Sequence, residues 1–185
     1  MSPFTHLLKR LRDWRSGRSK GHKLYGAIVA QARLPVFYRT LGVIDTLEGR
    51  FGLVAIHLFA VLHSLRLRGA SAAPLAQVLT DRFAADMETV LREIGVSDLK
   101  VPKAMRSLAA SSRAIVEAYE DAFPLGGERL GAAIAQSLPF EVGQEGLSSS
   151  RLSSYVRESI ARIERQALAE LEGGTVAFAE IPHKP

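Results

Sequence analysis

The sequence contains no cysteine. That excludes disulfides, thiolate zinc sites, iron–sulfur ligation and a cysteine nucleophile, and it fits a reducing compartment. Long apolar runs are missing too. The longest, Phe51 to Leu62, is interrupted by His57 and falls short of the roughly 20 residues a membrane span needs. There is no secretory signal pattern: the apolar residues near the N-terminus are interleaved with Arg and Lys, with no small-residue cleavage site. Apart from a few tail residues, no stretch alternates with the period of two that marks a strand. No internal repeat is found. The fold class expected is therefore all-α.

Recognisable catalytic chemistry is equally scarce. The five histidines, His6, His22, His57, His63 and His183, show no zinc-binding spacing, and no metal site is expected. His57 and His63 are too far out of phase on one helix to share an ion. His57 alone, in an apolar helix, reads as a core histidine bonded to a neighbour or, alternatively, as a haem ligand. Asp81 and Asp86 do not stack as a three- or four-residue pair does, and they read as a solvated face. Gly126-Gly127 and Gly173-Gly174 lack the strand–loop–helix setting of a phosphate loop. Ser148-Ser149-Ser150 reads as a helix cap. No nucleophile, base and orienting group come together, so no catalysis is expected.

What the chain does have is length, helical periodicity and a lopsided charge. Its 185 residues suit one core that buries roughly 70 % of the unfolded chain's surface. Residues 1–23 carry seven Lys/Arg against the single acid Asp13, while the remainder carries seventeen against eighteen Asp/Glu. The basicity thus belongs to one end, which is expected to attract anions. Within it, residues 3–16 form an amphipathic pattern, with Phe4, Leu7, Leu8, Leu11 and Trp14 on one face and Arg12 and Arg15 among the cations covering the rest. Residues 16–21 read as a flexible basic linker. The division expected is an arm and linker over 1–21 and a helical domain over 22–185. Phe4, Leu8, Arg12, Trp14 and Arg15 are the candidates for contact with a membrane surface or a ribosome, or with the chain's own bundle.

The body reads as a single bundle of six to seven helices. Residues 22–33 are followed by a short helix from Pro35 to Leu41. Asp45-Thr46-Leu47-Glu48 suggests a capping box, with Asp45 as the cap, opening a helix to Arg68. That helix is apolar all round in its middle, as at the centre of a bundle. A helix from Pro74 to Ile94 has Leu75, Val78, Leu79, Phe83, Met87, Val90, Leu91 and Ile94 as a core stripe. From Pro102 the next helix turns Met105, Leu108, Ile115, Val116 and Tyr119 inward. A short helix over 128–137 and a long one from Ser148 to Glu172 complete the bundle. The tail from Thr175 is expected to run extended, anchored by Val176 and Phe178.

A series of short matches in order identifies a resemblance. It starts with Gln31-Ala32-Arg33, Pro35 and Phe37-Tyr38. It continues through Gly42-Val43, Asp45-Thr46, Gly49-Arg50-Phe51 and His57-Leu58. Asp86-Met87, Leu91-Arg92-Glu93, Gly95-Val96, Asp98-Leu99 and Val101-Pro102-Lys103 follow, with Arg113 and Tyr119 beyond. From Tyr25 to about Phe123 the sequence resembles the ubiquinol–cytochrome c chaperone family, with little likeness in residues 1–23 or the C-terminal third. One departure is Ala110-Ser111-Ser112, where the family usually has an aromatic pair and a glycine.

The resemblance implies an all-helical, non-catalytic assembly chaperone without a cofactor. Its implied client is newly made cytochrome b, on the way into ubiquinol–cytochrome c reductase, and a small co-chaperone is an implied partner. The lack of a long targeting peptide suggests a bacterial member, acting at the cytoplasmic face of the inner membrane. A client with transmembrane helices needs an apolar groove with a polar border, expected between the Tyr25–Tyr38 region and one of the next two helices. Of the polar positions that carry the resemblance, Asp45 and Asp98 stand just before helices and suit structural roles. Arg33, Tyr38, Arg50, Asp86 and Arg92 are the candidates for the client or partner surface.

Overall fold

The computed structural model describes residues 19–181. The expected helix over 3–16, with Phe4, Leu8, Arg12, Trp14 and Arg15, lies outside the described residues. Helix α1 occupies residues 19–32, so residues 19–21 are helical rather than linker. There follow α2 (Pro35–Arg39), α3 (Leu47–Leu67), α4 (Ala73–Glu93), α5 (Val101–Ala122), α6 (Gly127–Ser137), α7 (Glu145–Arg165) and α8 (Leu168–Gly173). The all-α bundle expected from the sequence is what forms.

Helix α3 is the centre. Among the described residues it is the one helix long and apolar enough to cross a membrane, yet it is largely covered by protein. Leu53, Ile56, Phe59 and Val61 are fully buried, which accounts for a helix apolar on every side. Its cap is Thr46, whose hydroxyl accepts from the Gly49 N–H at 3.2 Å. Asp45 does not serve as the cap as expected, because its carboxylate is engaged by Arg50 instead.

Glycine lets the start of α3 pack closely. A Cβ on Gly49 would stand 2.0 Å from the Ile44 carbonyl oxygen, and one on Gly52 2.5 Å from Leu138 Cδ2. The chain before α3 pairs with the α6–α7 loop. Ile44 N–H donates to Pro139 O at 3.0 Å, and Glu141 N–H to Gly42 O at 2.9 Å.

Helices α6 and α7 pack along a seam of small residues. Ser148, Ser149 and Ser153 are buried, and the Ser153 hydroxyl donates to Gly127 O at 2.7 Å. Ser148–Ser150 therefore lie inside α7, not ahead of it as a cap. The single long last helix expected is also divided. Gln166 and Ala167 are extended, although neither residue is a helix breaker. The Gln166 carboxamide instead accepts from Ala177 N–H at 2.7 Å, binding the tail as it folds back. That tail buries Ala179 and Ile181 more deeply than Val176 and Phe178.

The α4–α5 hairpin is covered mainly near its base, with Val101 the one buried side chain at its turn. Leu75, Leu79, Phe83, Tyr119 and Ala122 are buried. Farther out, Met87, Val90, Leu91, Met105, Leu108, Ile115 and Val116 are half-buried, and Ile94 is exposed. The stripe read from sequence as core thus runs past the end of the core.

Candidate functional site

The uncovered part of that stripe forms one wall of a groove of about 900 Å³. The α1–α2 segment supplies Tyr25, Val29, Ala32, Arg33, Pro35 and Tyr38. Leu47, Phe51 and Val54 come from α3, and Asp86, Met87, Val90, Leu91 and Ile94 from α4, with Leu108 reaching in from α5. Local sequence explains the concavity. Pro35 and the extended Leu34 end α1 and turn the chain sharply into α2. The mouth is lined mainly by apolar side chains, with charged groups at its edge.

Each polar group at that edge is held in a defined way. Arg50 donates from Nε to Asp45 Oδ1 at 2.6 Å and from Nη2 to Asp45 Oδ2 at 3.1 Å, a fork that fixes both side chains. The hydrogen bond from Arg50 lowers the Asp45 carboxyl below its ordinary value, and the same bond raises Arg50. On the opposite side, the Tyr25 hydroxyl donates to Asp86 Oδ2 at 2.8 Å, and Arg82 Nη2 reaches Asp86 Oδ1 at 3.3 Å. Burial, and after it the Asp86 hydrogen bond, push the Tyr25 phenol well above its usual range. Tyr38 is raised by burial and then by the Asp45 charge, and its hydroxyl donates to Ala32 O at 3.4 Å. Both phenols are neutral donors at physiological pH. Arg33 and Arg39 form no ion pair among the described residues, leaving two uncommitted cations beside the apolar floor.

Four of the five residues singled out from sequence thus meet on this groove: Arg33, Tyr38, Arg50 and Asp86. Arg92 does not line it and is paired with Glu88 at 2.8 Å and with Asp98. Sequence reasoning expected the wall from the Tyr25–Tyr38 region but took the apolar lining from α4 for core. Val90, Leu91 and Ile94 passed for core because their spacing continues that of Leu79 and Phe83. The available signal was the length of the stripe, which outruns the helices able to cover it.

His57 is in the packed core. Its Nδ1 lies 2.6 Å from Leu53 O and its Nε2 2.9 Å from the Tyr155 hydroxyl. A carbonyl can only accept, so Nδ1 carries the proton and Nε2 accepts from Tyr155. Gln31 Nε2 in turn donates to the Tyr155 oxygen at 3.0 Å. Phe37, Tyr155 and Phe178 enclose the ring, with centroids 5.0, 5.5 and 5.1 Å away. Burial lowers the imidazole to about 4, against a smaller opposing effect of the Leu53 carbonyl. With 1 % exposure and both nitrogens engaged, His57 offers no open ligand position. The haem-ligand alternative is overturned by this packing. Among the described residues no cluster of His, Asp and Glu could hold a metal ion.

Fold and groove together define an all-helical protein with an open apolar furrow and a fixed polar border. Residues 39–178 match the family model described as ubiquinol-cytochrome C chaperone. In the solved structures, the chain is similar to the crystal structure of the Cbp3 homolog from Brucella abortus. The TM-score is 0.81 at 28 % identity, over 95 % of this chain and 97 % of that one. No curated protein matches at a significant level. The chain belongs to the ubiquinol–cytochrome c chaperone family. The family match begins at Arg39 and extends to Phe178, well past the Phe123 limit expected from the sequence, so the C-terminal third belongs to the family domain as well.

Proposed function

We propose that this chain holds newly made cytochrome b and promotes its assembly into ubiquinol–cytochrome c reductase. Family membership supports the chaperone class, and the observation that carries the client reading is the apolar groove of about 900 Å³ bordered by charged and phenolic groups. An unassembled transmembrane helix exposes apolar faces that need temporary cover, and a groove between helices accepts a helix by its spaced apolar anchors. Val29, Phe51, Val90 and Leu91 supply the apolar contact. Arg33, Tyr38, Arg50 and Asp86 set the register at the edge, because a buried polar mismatch there costs more than a lost contact. Arg92 belongs to a neighbouring surface that a small co-chaperone could share. The work is binding and release, without catalysis.

The basic residues of the N-terminal arm suit a peripheral position at the cytoplasmic face of the inner membrane, where anionic lipids concentrate cations. Deletion of the chain is expected to lower assembled cytochrome b while leaving its message unchanged. Restoration by wild type but not by a groove variant links that loss to the site. Normal reductase levels in the deletion strain would overturn the reading.

A further inference from the structure

The turn between α4 and α5 projects the most exposed apolar side chain of this half of the molecule. Leu99 is 96 % exposed and Ile94 54 % exposed. Both stand at the turn, while Val101 at the same turn is buried. Apolar side chains at a protruding turn are costly in water unless something else covers them.

Charge indicates what that something is. From Leu99 to Val116 the chain carries Lys100, Lys103, Arg106 and Arg113, and no acid. Lys103, Arg106 and Arg113 recur at three- and seven-residue steps, which sets them on one face of α5. All three are exposed, while Met105, Leu108, Ile115 and Val116 turn inward on the other side. The nearest acids offset part of this field: Glu88 and Asp98 share Arg92, and with Glu93 the stretch from Glu88 to Arg106 keeps one net positive charge, four cations against three acids. Glu117 stands 3.9 Å from Arg113 at the far end of the stripe. Glu93 alone is an acid at the turn without an ion-pair partner among the described residues.

We propose that the α4–α5 tip is a docking surface for an anionic lipid bilayer, with Leu99 and Ile94 entering the interface and Lys100, Lys103 and Arg106 on the headgroups. Protruding apolar side chains beside cations favour lipid over RNA, which takes up cations and stacked aromatics. Continuity with the groove gives the surface a purpose. Ile94 lines the groove and also stands at the tip, so the groove opens toward whatever the tip rests on. A held transmembrane segment then leaves directly toward the bilayer. This purpose rests on the client-holding reading, whereas the docking itself does not.

The basic arm also favours anionic vesicles, so sedimentation alone does not locate the contact. The chain has no cysteine, which makes single-site labelling clean. A polarity-sensitive fluorophore on Leu99→Cys of the full chain, with Ser154→Cys on α7 as the control, reads the tip directly. Vesicles of phosphatidylglycerol and phosphatidylcholine are expected to shift emission to the blue at position 99 and not at 154, with no shift on pure phosphatidylcholine. In unlabelled protein, K100E/K103E/R106E is expected to weaken vesicle partition at least about a hundredfold, since three interfacial cations are lost and reversed. Its circular dichroism is expected to be unchanged, because all three side chains are exposed.

No blue shift at position 99, equal shifts at 99 and 154, or full partition of the charge-reversed variant would overturn the inference. So would a shift produced by ribosomes and not by vesicles. None of these outcomes alters crosslinking of cytochrome b to the groove, so this inference and the client reading fail separately.

Discussion

Tyr25 donates a 2.8 Å hydrogen bond to Asp86 and thereby ties α1 to α4 at the point where the core ends and the groove begins. Below it, Tyr25 meets Phe83 edge to face at 6.4 Å. Above it, α4 continues with half-buried Val90 and Leu91 and exposed Ile94. The bond therefore sets how far apart the two groove walls stand.

Tyr25→Phe keeps the ring and removes the tie. Hydrogen bonds to charged groups contribute about 1.5–3 kcal/mol, and partial exposure of Asp86 reduces that here. A loss of about 1 kcal/mol in urea unfolding is expected, together with weaker client capture. A variant with unchanged stability would show that the bond does not brace the groove.

The Asp45–Arg50 fork is expected to behave differently. Both side chains are more than half exposed, and exposed pairs contribute little to stability. Arg50→Ala should leave the melting temperature where it is and reduce client crosslinking several-fold. A large drop in melting temperature would instead mark the pair as structural.

His57 makes stability depend on pH. Its folded value is about 4 against 6.5 when unfolded, so between these values the unfolded chain binds the proton and the folded chain does not. Stability is full above pH 6.5 and is lost progressively as pH falls toward 4. Between pH 7 and 5 this amounts to about 2 kcal/mol. The decline should be smaller by that amount in His57→Gln, as read from urea midpoints at the two pH values. Equal pH dependence in both proteins would contradict the buried, neutral assignment.

Two glycines on different helices give opposite expectations. Gly49→Ala drives a Cβ into the Ile44 carbonyl and is expected to cost about 2–3 kcal/mol, as overpacking does. Gly26, exposed in α1 with nothing near a Cβ, should gain about 0.5–1 kcal/mol as alanine. Chemical denaturation of the two variants separates close packing from simple helix propensity.

Much of the fold is legible in the sequence because its signals are local. The apolar circumference of α3 marks the central helix, and Pro35, Pro74 and Pro102 mark helix starts. What was not legible depends on distant partners. The break at Gln166 contains neither glycine nor proline, and it is held by distant and local contacts: Arg68 on the Ile163 carbonyl, Glu170 on the Ala167 N–H and Gln166 on Ala177 in the returning tail. Thr46 rather than Asp45 caps α3 because Arg50 competes for the carboxylate.

The site follows the same logic. Arg33, Tyr38, Arg50 and Asp86 were found by resemblance, and the fold brings them to one groove. Arg92, six residues after Asp86 on one helix, emerges on another face. The apolar lining looked like core because periodicity reports which face is apolar, not what covers it.

Cytochrome b is expected to sit in the groove between α1–α2 and α4. Site-specific photocrosslinking tests it most directly, with the probe at Tyr38 or Val90 inside the groove and at Ser154 on the far side, in cells making cytochrome b. Crosslinks to cytochrome b from positions 38 and 90, absent at 154 and lost in Leu91→Glu, are the predicted result. Crosslinks equal at all three positions, or none to cytochrome b from the groove while reductase still depends on the chain, would contradict it.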